Sequence, residues 1–153
     1  MQFRAYIISL FSSLMLMGLL CRCASVNPTG VYDPIADQMM TTLHQKLTRH
    51  FIQLQTKVGT PAAAYAQYIE FYEDIKVDLA SLQLRLSVPS ERSIPLQQLQ
   101  KLTEMVQQWE QLHQMGLDHV AQIKPVQASF DASFRALLTY QMALLQHQKH
   151  QKE

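Results

Sequence analysis

The feature that most constrains the fold is a run of seven large residues spaced alternately three and four positions apart. The run consists of Tyr65, Tyr68, Tyr72, Ile75, Leu79, Leu82 and Leu86. Side chains at this spacing lie on one face of an α-helix, whereas a half-buried strand needs alternation at every second residue. We therefore predict a helix that Pro61 opens, that Pro89 ends, and that buries this face against other helices.

Two further segments carry the same periodic signal. One is predicted to begin at Asp33 and Pro34, because Asp caps free N–H groups and Pro fits a first helical turn, and to end near Val58. The other is predicted to begin at Ser93 and to end at Gly116, since glycine suits the residue that closes a helix. Their apolar faces include Met40, Leu43, Leu47, His50 and Leu54 in the first, and Leu99, Leu102, Val106 and Trp109 in the second.

A fourth helix is predicted after an Asp118 cap, with Ile123, Phe130 and Phe134 on its buried face. Pro125 lies inside this segment and lacks the N–H that a helix interior needs, so we expect a kink or a break near Lys124. From His147 the apolar face ends, and residues 147–153 are expected to form a frayed polar tail.

Short connections make consecutive helices antiparallel neighbours. The sequence therefore predicts one all-α domain, an up-down-up-down four-helix bundle over residues 34–146. The alternative is a three-helix bundle with a kinked, loosely docked fourth segment.

The first 22 residues have a different character. Arg4 precedes an uncharged stretch of 16 residues that ends at Leu20, which is shorter than the roughly 20 residues a membrane-spanning helix needs. The sequence CRCAS follows at 21–25, and it resembles the end of a bacterial lipoprotein signal peptide, in which a cysteine becomes the acylated first residue. Leu20 and the small residues after Cys23 favour Cys23 as the lipidated residue, with Cys21 as the alternative. Arg22 departs from the family pattern, which has a small residue there, so an ordinary cleaved signal is the second reading of this segment.

The resemblance implies a signal peptide over residues 1–22, a linker over 23–33 and a lipid anchor in the bacterial cell envelope. The anchored chain would face the periplasm, with the outer membrane as the expected location. Lys and Arg total 13 against 12 Asp and Glu, which gives a pI near 7.8. Binding to nucleic acid needs a clustered basic excess, so no nucleic-acid partner is predicted.

No catalytic, metal or cofactor site is predicted. A di-metal carboxylate site in a four-helix bundle needs Glu-x-x-His on two helices, and this chain has one such motif, Glu110 to His113. The alternative function is a cofactor carrier. Met39 or Met40 near the start of the first helix and His147 near the end of the fourth make the chain similar to the four-helix b-type cytochromes of the periplasm.

The second helix also carries a candidate partner surface. Its members are Tyr65, Tyr68, Tyr72, Phe71, Glu70, Glu73 and Asp74. Aromatic anchors beside charged residues are the usual composition of a binding site, while ordinary bundle core with a solvated acidic face is the other interpretation. The function predicted is that of a non-enzymatic, membrane-tethered scaffold or accessory protein that works through contacts with an envelope protein.

Overall fold

The computed structural model describes residues 30–87 and 93–151. Within these ranges there are four α-helices and no strand: α1 (Pro34–Lys57), α2 (Ile69–Ser87), α3 (Ser93–Met115) and α4 (Val120–His150). No helix in these ranges has the length and hydropathy required to span a bilayer. The predicted signal peptide, both cysteines and the first residues of the linker lie outside the described residues. The predicted all-α four-helix bundle is confirmed.

The core runs through all four helices. α1 packs against α2 and α4, and α3 completes the bundle by packing against α2 and α4. Ile123, Phe130 and Phe134 of α4 are at most 1% exposed, so α4 is an integral part of the bundle. The alternative of a loosely docked fourth segment is therefore wrong.

Two ion pairs show how α1 is oriented relative to α2. Asp33 pairs with Arg85, and Lys46 pairs with Asp78, so residue numbers rise along α1 as they fall along α2. These two helices are therefore antiparallel. The predicted alternation of direction for α3 and α4 stays a prediction.

Asp33 stabilises α1 in two ways, as the N-cap of the helix and as the partner of a residue on α2. Its carboxylate accepts hydrogen bonds from the backbone N–H groups of Ile35 and Ala36, as predicted for a cap. Arg85 near the end of α2 donates to both oxygens of the same carboxylate, at 2.8 and 2.9 Å. A local helix start and a contact between helices thus share one side chain.

The predicted start of the second helix is wrong. α2 begins at Ile69, and two 3₁₀ turns, Pro61–Ala63 and Tyr65–Gln67, occupy the residues before it. Ala64 between these turns has an extended backbone (ψ 138°), which interrupts helical hydrogen bonding. The physical reason lies partly in α3, because Nε2–H of His113 donates a hydrogen bond to the carbonyl oxygen of Ala63 at 2.7 Å. Tyr65 and Tyr68 therefore precede the helix that their spacing suggested.

The predictions for α4 need three corrections. The predicted break near Lys124 is wrong, because Pro125 lies early in the helix and removes one hydrogen bond from a 31-residue element that continues through it; the predicted kink stays a prediction. Asp118 is not the cap; the N-cap is His119, and the side chain of Gln122 accepts hydrogen bonds from the N–H groups of both residues. The helix also extends to His150, four residues past the predicted end of the domain at residue 146.

Candidate binding groove

Four side chains form a buried polar cluster between α1, α2 and α3, named here the histidine–tyrosine cluster. It consists of His50, Tyr72, Trp109 and His113, each at most 2% exposed. Buried rings with polar tips need hydrogen-bond partners, and here three helices supply them to one another. Such a cluster requires contacts between residues distant in sequence, so the periodicity of one helix does not reveal it.

The hydrogen bonds within the cluster define where its protons lie. His113 Nε2 is 2.7 Å from the carbonyl oxygen of Ala63, which only accepts, so Nε2 carries a proton. The other nitrogen of the neutral ring, Nδ1, then accepts from the Tyr72 hydroxyl at 2.8 Å. The indole N–H of Trp109 donates to Nε2 of His50 at 3.2 Å, which leaves the proton of a neutral His50 on Nδ1.

Burial keeps all three titratable members of the cluster uncharged at neutral pH. Loss of water around the ring, together with a smaller effect of the nearby His113, lowers the pKa of His50 from 6.5 to about 3. Burial also lowers the pKa of His113, against the opposing effect of its hydrogen bond to Ala63. The pKa of Tyr72 is raised, first by burial and then by the neighbouring Glu110.

An open groove of about 550 Å³ lies between α1 and the segment that leads into α2. Its lining comprises Lys46, Arg49, His50, Gln53, Lys57, Ala62, Gln67, Tyr68, Glu70, Phe71 and Asp74. Phe71 stacks on His50, with ring centroids 3.9 Å apart and planes inclined by 9°. The amino group of Lys57 lies 5.6 Å from the centroid of the Tyr68 ring. The groove thus borders the histidine–tyrosine cluster through His50, with aromatic rings beside it and charges at its rim.

Two groove-lining side chains carry buried polar atoms without a partner. Within the described residues, neither Nδ1 of His50 nor the hydroxyl of Tyr68 makes a hydrogen bond. Because Nε2 of His50 accepts from Trp109, the unpartnered Nδ1 of the neutral ring is a donor. The groove is therefore bordered by two rings that each hold a hydrogen-bond donor without an acceptor.

The two walls of the groove carry charges of opposite sign that do not pair with each other. Arg49 and Lys57 belong to α1, and Glu70 and Asp74 belong to α2. None of these four makes an ion pair with another residue in the described ranges. Lys46, the remaining charged residue of the lining, is 2.6 Å from Asp78. The rim thus offers two unpaired cations and two unpaired carboxylates.

The structure divides the seven residues of the predicted partner surface. Tyr68, Phe71, Glu70 and Asp74 line the groove together, although Tyr68 is itself largely buried. The other three lie elsewhere: Tyr72 is completely buried, Tyr65 donates to Glu110 at 2.9 Å, and Glu73 is exposed outside the lining. The three tyrosines therefore do not form one exposed stripe, because Tyr68 and Tyr72 are buried and Tyr65 packs partly buried against the core.

The α1 wall was not predicted as part of any site. His50 was predicted to occupy the buried face of α1, and it does, but Arg49 and Gln53 were not singled out. Arg49 directly precedes His50, Gln53 follows it by three positions, and both line the groove from α1. Polar residues at 46, 53 and 57 share the helix face of His50 through spacings of four, three and four, and this is the signal that could have indicated the wall.

Residues considered for metal or haem chemistry are placed apart from the groove. Glu110 contacts Lys76 at 2.6 Å, while His113 contacts Tyr72 and Ala63, so the Glu-x-x-His pair does not act as one unit. No group of three or more His, Cys, Asp or Glu side chains is arranged to hold a metal in the ranges that the structure covers. Met40 is fully buried in the core, Met39 is partly buried, and His147 is exposed near the end of α4.

Comparison with known proteins leaves the fold and the groove as the basis for a functional conclusion. No protein-family model matches the chain, and neither a curated protein nor a solved structure matches it significantly. What the fold and the groove define is a class, namely a small all-α bundle with a mixed-charge groove between two of its helices.

Proposed function

We propose that this protein is a non-enzymatic lipoprotein of the bacterial cell envelope whose four-helix bundle binds a partner protein in the groove between α1 and α2. The groove itself is the observation that carries the proposal. Tyr68 and Phe71 provide its aromatic part, and unpaired charges occupy both walls. Aromatic centres surrounded by a polar rim are the usual composition of a protein interface.

The hydrogen bonds around His50 support binding by a preformed surface. His50 is held from one side by Trp109 and from the other by the stacked ring of Phe71. A side chain held in this way does not lose further freedom when a partner binds, so less of the binding free energy is spent on ordering the site. The ring of Phe71 is half-buried, which leaves part of it open to a partner.

The sequence at 21–25 supports the lipid anchor. A cysteine followed by Ala24 and Ser25 resembles a lipoprotein processing site, and Cys23 is the proposed acylated residue, with Cys21 as the alternative. The segment 23–33 then connects the lipid to the bundle, and its last residue, Asp33, forms an ion pair with Arg85. The proposed location is the periplasmic face of the envelope, with the outer membrane expected. Replacing both cysteines by serine should release the full chain from sedimented membranes, and retention of the double variant would contradict the anchor.

Site-specific photocrosslinking in the cells that produce the protein tests the partner. A photoreactive amino acid at Gln67 lies in the groove lining, and a matched one at Gln107 lies exposed on α3. We expect one protein adduct of defined mass from position 67 and none of that mass from position 107. Absence of an adduct at 67, or the same adduct from both positions, would show that the groove is not the partner site.

A further inference from the structure

We infer that the groove accepts a polypeptide segment carrying charges of both signs, whose carboxylate pairs with the α1 wall and whose cation pairs with the α2 wall. This inference rests on the proposed function and names the chemistry of the partner. Four observations support it: the unpaired charges, the ion pairs that the same helices form at one edge of the groove and beyond it, the unpartnered donors, and the length of the groove.

The unpaired charges on the two walls are opposite in sign. Arg49 is exposed on α1, and Glu70 and Asp74 are exposed on α2, yet no ion pair joins these walls among the described residues. A segment of mixed charge would give each wall the counterion that the other does not supply. Interfaces often gain specificity in this way, because like charges in a wrong partner are repelled.

The same two helices do form ion pairs at one edge of the groove and beyond it, since Lys46 belongs to the lining while Asp33, Asp78 and Arg85 do not. Lys46 contacts Asp78 at 2.6 Å, and Arg85 contacts Asp33 at 2.8 Å. The helices therefore come close enough to pair charges from the N-cap of α1 to Lys46, and in the described residues no ion pair joins them from Arg49 to Lys57. The separation of charge is thus a local property of the groove and not a general property of α1 and α2.

The rings beside the groove lack hydrogen-bond acceptors. Nδ1 of His50 and the hydroxyl of Tyr68 are buried donors without a partner in the described chain. Both atoms have almost no accessible surface, so an occupant reaches them only when a covering side chain moves aside; its carbonyl or carboxylate oxygen then supplies the acceptor that each donor lacks. Main-chain carbonyls make a polypeptide a natural source of such oxygens.

The balance of charge and the length of the groove favour a polypeptide over a simple ion. Glu70 and Asp74 repel a free anion, and Arg49 and Lys57 repel a free cation, so neither is well matched to the whole groove. From Lys46 to Lys57 the α1 wall runs about 16 Å at 1.5 Å per residue. An extended segment of about five residues spans that length.

Two pairs of neutralising substitutions test the inference in the full chain that carries the photoreactive residue at Gln67. One variant combines Arg49→Gln with Lys57→Gln, and the other combines Glu70→Gln with Asp74→Asn. Each should lower the yield of the Gln67 adduct by on the order of tenfold, because each removes one set of counterions. Helical content and thermal melting of every variant, measured by circular dichroism, verify that the bundle is intact.

Matched controls remove the same charges from surfaces outside the groove. Lys124→Gln with Arg135→Gln, and Glu104→Gln with Asp118→Asn, change exposed residues and should leave the yield unchanged. These controls separate local pairing from a general effect of net charge.

Each alternative outcome overturns the inference in a recognisable way. Loss of the adduct only in the variant lacking cations identifies a purely anionic occupant, and loss only in the variant lacking carboxylates identifies a cationic one. An adduct that mass spectrometry identifies as lipid or glycan shows that the occupant is not a polypeptide. If a protein adduct forms and neither pair of substitutions changes its yield, the groove is still the partner site. The inference that the partner carries charges of both signs is then wrong. Absence of any adduct in the unsubstituted groove contradicts the proposed function itself.

Discussion

Around Met40, Leu43 and Leu82 the bundle packs aliphatic side chains against one another, whereas around His50 the same helices pack rings joined by directed hydrogen bonds. The first region, with Leu47, Leu79 and Leu86, is called the apolar half here; the second is the histidine–tyrosine cluster. Apolar packing has no preferred direction, so it tolerates exchanges that preserve volume. A buried hydrogen-bonded cluster requires every donor and acceptor to be matched, and losing one member leaves others unpaired.

Acid should destabilise the cluster far more than the apolar half. The pKa of His50 is 6.5 in an unfolded chain and about 3 in the fold, so the unfolded chain binds more protons between these values. The stabilising contribution is complete above pH 6.5 and falls as the pH falls toward 3, by on the order of 5 kcal/mol at about 1.4 kcal/mol per pH unit.

Urea titrations across this pH range measure that loss. Protonation of carboxylates also affects stability in acid, so the comparison is with His50→Gln, which keeps an acceptor for Trp109 and does not titrate. Its free energy of unfolding should fall less with acid than that of the unsubstituted protein. Parallel curves for the two proteins would show that His50 does not govern the response to acid.

In the apolar half, the largest effect comes from removing volume. Leu79 is 2% exposed, and Leu79→Ala should lower the free energy of unfolding by about 2–5 kcal/mol, from lost burial and from the cavity left behind. The exposed Asp74→Ala should change it by less than about 0.5 kcal/mol. Equal shifts of the two urea midpoints would mean that α2 presents a different face to the core.

A change of one oxygen atom should have a larger effect in the cluster than a shape-preserving change in the apolar half. Tyr72→Phe leaves Nδ1 of His113 buried without a donor, which should cost about 1–3 kcal/mol. Leu82→Met keeps the volume and should cost less than about 1.5 kcal/mol. Chemical denaturation of the two variants ranks them, and a larger loss for Leu82→Met would reverse the comparison.

The smallest effect is expected at the edge of the cluster. Tyr68→Phe removes a buried hydroxyl that has no partner in the described residues, so stability should change by less than about 0.5 kcal/mol or rise slightly. Tyr72→Phe is the matched comparison, because the chemical change is identical. A loss for Tyr68→Phe as large as that for Tyr72→Phe would show that the Tyr68 hydroxyl is hydrogen-bonded in solution.

The helices whose ends depend on local residues were predicted best. α1 begins at Pro34 and ends at Lys57, one residue before the predicted end, and Gly59 follows with φ +80°. α3 ends at Met115, directly before the glycine that was predicted to close it. Capping and glycine conformations act over a few residues, so they can be read from the sequence.

The start of α2 could not be predicted because it depends on tertiary contact. The spacing of Tyr65 and Tyr68 fits a helix, but His113 binds the carbonyl of Ala63 from another helix and the backbone turns there. The α1 wall of the groove was not predicted because its position beside α2 also depends on tertiary contact. Lys57 and Tyr68 approach each other only once α1 and the segment before α2 are packed together.

The indole of Trp109 has a practical consequence for solution work, since it is the only tryptophan in the chain. It is buried and donates to the ring of His50, which in turn stacks on Phe71. Its fluorescence therefore originates from a single known environment, whose emission should be blue-shifted while the indole is shielded from water. One label-free optical signal thus follows the interior of the bundle, in direct contact with a groove-lining ring, during titration with acid, denaturant or a partner.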